Sequence, residues 1–318
     1  MDNLTVIVLA AGGGTRMKSK TMKVLHPVAG RSMIAHVLRA VQAVEPERIV
    51  AVVGHQRDQV GPHITSLVPD AVLAVQETQD GTGHAVREAM PDVPDGAQVL
   101  VLYGDVPLIT AATLRRLLAT GSRLAVLVAE LEDPRGYGRI VRDPEGHVGA
   151  VVEEKDATAE QRAITIVNTG VLAVESTALK NWLQRLSSDN AQGEYYLTDV
   201  FEMAATEYTA AEMVAVDDPI ETEGANDPWQ LAQLERAMQK RLVRALCAEG
   251  ARFADPGRID IRGEVVVGRD VEIDADVVFE GRVVLGDGVR IGPFCRIRDA
   301  ELGPGTEVRA HCDIHGAR

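Results

Sequence analysis

Short apolar runs separated by amphipathic stretches fill the first 225 or so residues of the chain. Runs at 4–9, 48–53, 71–75, 98–103 and 124–131 are apolar at nearly every position, which predicts strands buried on both faces. Between them, apolar residues three and four apart predict helices, most clearly over 33–44 and 111–119. Strand and helix in alternation predict an α/β domain, a mostly parallel, Rossmann-like sheet covered on both sides. Ligands of such sheets sit beyond the carboxyl ends of the strands. Two breaks in the apolar pattern fall there, Gly12 to Gly14 after the first run and Gly104-Asp105 after the fourth.

Helical spacing returns at Leu231, Leu234, Met238, Leu242 and Leu246, which predicts one helix over 229–249, stopped by Gly250 and connecting two domains. After residue 258 the period becomes six. Ile259, Val265, Val271, Val277, Val283, Val289 and Cys295 form one series, and Ile261, Val267, Ile273, Phe279, Leu285, Ile291 and Ile297 form a second, offset by two. Glycine or aspartate stands at turn positions such as Gly263, Gly268, Asp274, Gly281, Gly286, Asp287 and Gly292. Seven hexads identify a parallel β-helix. They resemble the left-handed hexapeptide-repeat proteins, in which three hexads make a triangular coil and the chains are commonly trimers. Past Cys295 the six-residue register is expected to decay. The domains expected are therefore 1–227, a linker helix 228–250, and a partial left-handed β-helix 251–318.

Composition narrows the partners. With 33 Lys+Arg against 47 Asp+Glu the chain carries a net charge of −14, which repels nucleic acid and anionic membrane. Three cysteines, Cys247, Cys295 and Cys312, match neither a zinc site nor a disulfide framework and fit a reducing compartment, each as a packing residue. No basic leader opens the chain and no apolar run approaches the ~18 residues of a membrane span. A cytoplasmic location is expected.

Against that acidic background Arg16, Lys18, Lys20 and Lys23 reverse the local field directly after Gly12-Gly13-Gly14. Consecutive glycines let backbone N–H groups close on an anion without Cβ interference. Glycine-rich turns also simply join strands to helices, and Lys18 and Lys20 suit a solvated face. Met17 rules out the dinucleotide-binding pattern, and no Gly-Lys-Ser/Thr forms a Walker loop. The combination suits a nucleoside triphosphate.

The stretch from Leu9 through Met17, with Lys23-Val-Leu-His-Pro27 and Ala29-Gly30, resembles the signature of sugar-1-phosphate nucleotidylyltransferases. Gln76, Gly81-Thr82-Gly83-His84-Ala85, Tyr103-Gly104-Asp105-Val106-Pro107, Gly136-Tyr137-Gly138-Arg139-Ile140, Glu153-Glu154-Lys155-Asp156-Ala157 and Asn168-Thr169-Gly170 follow in order. With the hexapeptide tail, nearly the whole chain is similar to the bacterial bifunctional family that pairs N-acetylglucosamine-1-phosphate uridylyltransferase with glucosamine-1-phosphate acetyltransferase. The resemblance implies a nucleotidyltransferase domain that makes UDP-N-acetylglucosamine and pyrophosphate from UTP and N-acetylglucosamine 1-phosphate, a step in peptidoglycan synthesis. In-line attack of the sugar phosphate on the α-phosphorus would rest on positioning and charge neutralisation.

Residue by residue, the resemblance gives Arg16 and Lys23 to the phosphates as catalytic cations. It gives Leu9, Ala10, Gly12, Gly14, Tyr103 and Gly104 to the nucleotide site, Gln76, Gly81 and Thr82 to the uracil edge, and Gly138, Glu153 and Asn168 to the sugar. Mg²⁺ is implied, held by Asp105 and Asn226 and completed by phosphate and water. Two departures stand out: Met22 replaces a proline of the family pattern, leaving a less rigid loop, and Asn226-Asp227-Pro228-Trp229 replaces an Asn-Asn-Arg continuation. Glu154 and Lys155 are expected as a solvated pair, and His26, His55 and His84 as structural. A homotrimer through the β-helix is expected, with no nucleic-acid or integral membrane partner. The acetyltransferase residues of the family lie in later coils, so no acetyl transfer is expected of this chain. Two other readings stay open, a nucleotidyltransferase for glucose 1-phosphate and a non-catalytic hexapeptide-repeat scaffold.

Overall fold

The computed structural model describes residues 3–54, 56–209 and 211–317, and His55 lies outside them. The chain packs as two compact units, Met1–Leu25 with Met33–Asn226, and His26–Ser32 with Asp227–Arg318.

The first unit begins with β1 (Leu4–Ala10), all seven residues of which are buried. The next strands, β2 (Pro27–Val28) and β3 (Arg31–Ser32), form a small hairpin that belongs to the second unit. Helix α1 (Met33–Gln42), β4 (Arg48–Val53), α2 (Arg57–Leu67), β5 (Val72–Val75), α3 (Thr82–Ala89), β6 (Gln98–Tyr103), α4 (Ala111–Leu118) and β7 (Leu124–Glu130) alternate as the apolar pattern predicts. Then come a hairpin of β8 (Arg139–Arg142) and β9 (Val148–Val152), α5 (Ala159–Arg162), β10 (Ile166–Glu175), α6 (Ser176–Arg185), α7 (Asp199–Thr206) and β11 (Glu212–Ala215).

The sheet order is β11-β7-β10-β6-β1-β4-β5, with β8 and β9 attached through β10. β1 is parallel to both β4 and β6, and β4 to β5. β10 corrects the sequence picture, because it inserts antiparallel between β6 and β7 and makes the sheet mixed. Its apolar run was masked in the sequence by Asn168-Thr169-Gly170, where the register with β7 slips between Asn168 and Leu172. Such a slip turns side chains out of the alternating pattern, here toward the strand ends where a ligand binds. Apolar layers cover both faces, one including Trp182 and Phe201, the other Ile34, Leu38 and Leu114.

In the second unit, α8 (Pro228–Ala248) starts on an Asp227 cap whose Oδ1 accepts from Gln230 N at 2.9 Å. The departure from the family pattern after Asn226 thus builds a helix start. Of the predicted series Leu234, Met238 and Leu246 are buried and Leu231 and Leu242 half-buried, and Gln239 and Val243, each one residue beyond a predicted position, complete the buried stripe. Gln239 repays its burial by pairing with a strand backbone, Nε2 to Ile261 O and Ile261 N to Oε1 at 2.8 and 2.7 Å. Glu235 Oε2 accepts the Ala29 amide at 2.7 Å, and Gly30 (φ +79) lies where a Cβ would fall 2.7 Å from the Arg262 carbonyl carbon.

The β-helix has parallel strands β12 (Arg252–Phe253), β13 (Ile259–Val267), β14 (Glu272–Ile273), β15 (Val277–Leu285), β16 (Arg290–Ile291), β17 (Arg296–Leu302), β18 (Glu307–Val308) and β19 (Asp313–His315). The hexad residues point inward, and all of both series from Val271 to Ile297 are buried. Partners in adjacent coils are eighteen residues apart, as in Ile261 with Phe279 and Phe279 with Ile297. The expected decay after Cys295 does not occur. The next coil is one residue shorter, so Leu285 pairs with Leu302 and Arg296 with Asp313, and the repeat runs on through Ala300, Leu302, Val308 and Ile314 in a displaced register. The residue is lost at a corner, opposite Gly281 (φ +65), where Asp299 (φ +44) turns the chain. Among the described residues, no helix is long and apolar enough to cross a membrane.

Candidate active site

Everything in the candidate site lies in the first unit, at the carboxyl ends of β1, β5 and β6 and the amino end of the antiparallel β10. Ala11 is still buried, Gly12 and Gly13 are exposed, and Gly14 is left-handed (φ 57, ψ 38). A Cβ on Gly14 would fall 2.6 Å from Lys23 Cβ, so glycine there lets the lysine stem return against the loop. Met22 is buried in the apolar layer that holds Val24 and Ile34, which anchors the loop by packing where the family pattern uses proline. Arg16 stands apart. It is exposed and forms no ion pair or hydrogen bond among the described residues, and Lys18 and Lys20 are also exposed.

Lys23 meets both expected metal ligands. Its Nζ lies 2.5 Å from Asp105 Oδ2 and donates to Asn226 Oδ1 at 3.2 Å. Asp105 is delivered by β6, whose end is tied to that of β1 through Gly104 N to Leu9 O at 2.9 Å. Gly224 packs against the same carboxylate, where a Cβ would come within 3.1 Å of Oδ2. One carboxylate and one amide oxygen converging on a cation are the hard donor set that Mg²⁺ takes, with its other positions left for phosphate and water. No cluster of three or more His, Cys, Asp or Glu suited to a metal is found among the described residues.

A cavity of about 300 Å³ opens beside Lys23, lined by Leu9, Ala10, Gly12, Gln76, Gly81, Thr82, Tyr103 and Asp105 among others. Gln76 is buried, with Nε2 donating to Gly81 O at 3.1 Å. Gly81 has φ +105, and a Cβ there would meet Tyr195 O at 2.5 Å. The Thr82 hydroxyl accepts from Leu197 N at 3.1 Å. Sequence reading missed Gln79, which lines this cavity and donates to Ala11 O at 2.8 Å, and Glu194.

An adjoining cavity of about 150 Å³ shares Thr82, Tyr103 and Glu194 with the first and adds Glu153, Asn168 and Gly170. Thr198 Oγ1 donates to Glu153 Oε1 at 3.0 Å. Burial raises the Glu153 pKa, the Thr198 bond opposes that shift, and the charges of Asp156 and Glu194 add to it. Asn168 Oδ1 accepts from Gly170 N and the Asn168 backbone N–H donates to Gly138 O, both at 2.9 Å. Gly138 keeps clear the space beside Glu153, where its Cβ would lie 3.4 Å from Oε1. Between the cavities, Tyr103 is held as a neutral phenol by burial, reinforced by the charges of Glu153 and Asp105. Gly170 (φ +79) accommodates its ring, since a Cβ would fall 2.0 Å from Tyr103 Cε2.

The loop 192–198 supplies Gln192, Glu194, Tyr196 and Thr198 to this side and was not read from the sequence. Its signal was Tyr195-Tyr196 after Gly193, two of only five tyrosines in the chain. The solvated Glu154–Lys155 pair is also corrected. Glu154 instead pairs at 2.6 Å with Arg139, which is 1% exposed, and that bond lowers the Glu154 pKa while Lys155 is exposed. His84 approaches Gln76 at 3.2 Å, and His26 Nε2 is buried with no hydrogen-bond partner among the described residues.

Comparison with known proteins agrees with both halves of this architecture. A family model described as MobA-like NTP transferase domain matches residues 6–217, and one described as bacterial transferase hexapeptide (six repeats) matches 264–299. The chain is 63% identical over 313 residues to a protein named bifunctional protein GlmU from Stenotrophomonas maltophilia (strain K279a), covering 98% of this chain and 69% of that protein. Proteins of the same name from Xanthomonas axonopodis pv. citri (strain 306) and Xylella fastidiosa (strain 9a5c) are 58% and 55% identical over 313 residues, with 98% of this chain and 68% of each relative covered.

Proposed function

The chain belongs to the GlmU family of bifunctional proteins and is a nucleotidyltransferase, and on that premise we propose that it transfers the uridylyl group of UTP to N-acetylglucosamine 1-phosphate. The observation that carries this is Lys23, held between Asp105 and Asn226 at the wall of a cavity that continues to Glu153 and Asn168. A triphosphate along Gly12 to Gly14 would bring its phosphates to Lys23 and its base to Gln76. The sugar would occupy the second cavity, where the Glu153 carboxylate and the Asn168 amide suit hydroxyl and acetamido groups.

A phosphate oxygen of the sugar 1-phosphate attacks the α-phosphorus, the bond to the β-phosphate oxygen breaks, and pyrophosphate leaves with the electron pair. Lys23 neutralises charge growing on the departing group, and Arg16, exposed on the turn after Gly14, closes on the same phosphates when they bind. Bound Mg²⁺ supplies positive charge to the phosphate oxygens. Asp105 and Asn226 would hold it, which requires Lys23 to trade its carboxylate partner for phosphate.

The reading extends to a homotrimer through the β-helix and a cytoplasmic location. It assigns no acetyl transfer to these 318 residues, and release of CoA from acetyl-CoA with glucosamine 1-phosphate above background would reverse that assignment. The decisive experiment measures pyrophosphate release with Mg²⁺ across four nucleoside triphosphates and several sugar 1-phosphates. The best pair is expected to be UTP with N-acetylglucosamine 1-phosphate, and a preference for glucose 1-phosphate would replace this reading.

A further inference from the structure

The side-chain nitrogen of Gln76 is fully engaged. Nε2 donates to Gly81 O at 3.1 Å and lies 3.2 Å from Nδ1 of His84. The carbonyl Oε1 has no partner among the described residues, and Gln76 lines the larger cavity. An amide can be turned over within the same outline, so its partners decide which end faces a ligand. Two acceptors on the NH₂ end fix Oε1 toward the cavity. Gly81 O is one, and an unprotonated Nδ1 of His84 is the other.

The location of the His84 proton is set from the far side of the ring. Nε2 lies 3.1 Å from Glu88 Oε1, one turn further along α3. A carboxylate only accepts, so a proton on Nε2 makes a charge-assisted bond and leaves the Nδ1 lone pair for Gln76. The competing arrangement is built into the same corner, because Thr78 O lies 3.1 Å from Nδ1. A proton on Nδ1 would serve that carbonyl, but it would oppose the Gln76 NH₂ and leave Glu88 facing a lone pair. Asp80 Oδ2, 4.0 Å from Nδ1, is beyond hydrogen-bond reach and already accepts from Thr78 Oγ1 at 2.6 Å. The balance favours the arrangement that holds Gln76.

We propose that His84 is a positioning residue that sets Oε1 of Gln76 toward the base and thereby selects uracil over cytosine. The proposal rests on the uridylyl-transfer reading above. The pairing edge of uracil has one donor, N3–H, so an acceptor that recognises uracil must meet that atom. Cytosine carries a lone pair at N3 and repels the same oxygen. Turned over, the amide would present NH₂ and exchange the preference.

The ratio of kcat/KM for UTP to that for CTP is measured with N-acetylglucosamine 1-phosphate and Mg²⁺ for the wild type, His84→Leu and His84→Asn. Turnover of UTP by the wild type tests the function, and the ratio tests His84. Gly81 O still holds one amide proton in the leucine variant, so the expected fall in the ratio is about tenfold or somewhat more. His84→Asn, whose Oδ1 replaces the Nδ1 acceptor, is expected to keep the ratio within about threefold of the wild type. An unchanged ratio in His84→Leu, or an equal loss in both variants, would overturn the proposal. A ¹⁵N-histidine spectrum of the wild type decides independently of how the variants fold. With one proton on the ring, an unprotonated Nδ1 of His84 supports the assignment and a protonated one overturns it.

Discussion

Lys23 and Asp105 form a 2.5 Å ion pair whose side chains are each 15% exposed, and Asn226 adds its amide oxygen to the same ammonium. The three groups are gathered from widely separated parts of the sequence. The two oxygens that suit a divalent cation are therefore held together before one binds, and the lysine holds them.

Lys23→Ala is expected to lower kcat about 10²- to 10³-fold, the scale of removing one charge-stabilising group from a transition state. Asp105→Asn is expected to raise the Mg²⁺ concentration needed for half-maximal turnover. Steady-state rates at several Mg²⁺ concentrations check both. A lysine variant with wild-type kcat would remove Lys23 from the mechanism.

Chelation is expected to stop the reaction. Turnover should disappear in excess EDTA and return with added Mg²⁺, while the circular dichroism spectrum stays the same, because Asp105 and Asn226 lie in connections outside the strands and helices and Lys23 already pairs with both. Full activity in EDTA would take the metal role away from these two residues.

Gly170→Ala combines a left-handed backbone position (φ +79) with a Cβ placed 2.0 Å from the Tyr103 ring. A loss of about 2–3 kcal/mol in urea unfolding is expected from strain and overpacking. The surviving folded protein should bind the sugar phosphate more weakly, since Tyr103 walls both cavities. A melt and affinity equal to the wild type would show that the ring moves aside without cost.

Asp199 has its pKa pushed up to about 6 from 3.8 by burial, then by the charges of Glu202, Glu153 and Asp156. The folded state therefore holds this proton more tightly than the unfolded chain. Its ionisation costs nothing below about pH 4, where both states are protonated, and the cost grows as pH rises from there through 6. Asp199→Asn should then stabilise the protein at pH 8 by about 1 kcal/mol, allowing for solvent screening, and by almost nothing at pH 4. Thermal melts of both proteins at the two pH values give the answer, and equal gains at both would assign the effect to packing.

Periodicity carried much of the fold into view. The runs that became β1, β4, β6 and β7 are apolar throughout because both faces of the sheet are covered, and the β-helix repeats its inward pairs every six residues. β10 was hidden for a physical reason, since the bulge that turns Asn168 toward the site also breaks its apolar run. The continued repeat after Cys295 was hidden because deleting one residue at the Asp299 corner shifts the count without disturbing the stack. Within the site, most of the expected residues line the two cavities, whereas Arg16, Gly14, Gly104, Gly138 and Asn226 do not. Thr198, Glu194 and His84 could not be valued from sequence spacing, because their roles come from a neighbour such as Glu153 or Gln76 brought near by the fold.

The hairpin β2–β3 is encoded inside the first unit and packs with the second. The chain therefore passes between the units at three points, and no single cut separates them cleanly. A fragment ending at residue 227 would keep Ala29 but lose Glu235, the carboxylate that receives its amide. For anyone exchanging catalytic or β-helical halves between relatives, the unit of exchange is a discontinuous one, with 26–32 travelling alongside everything after 226.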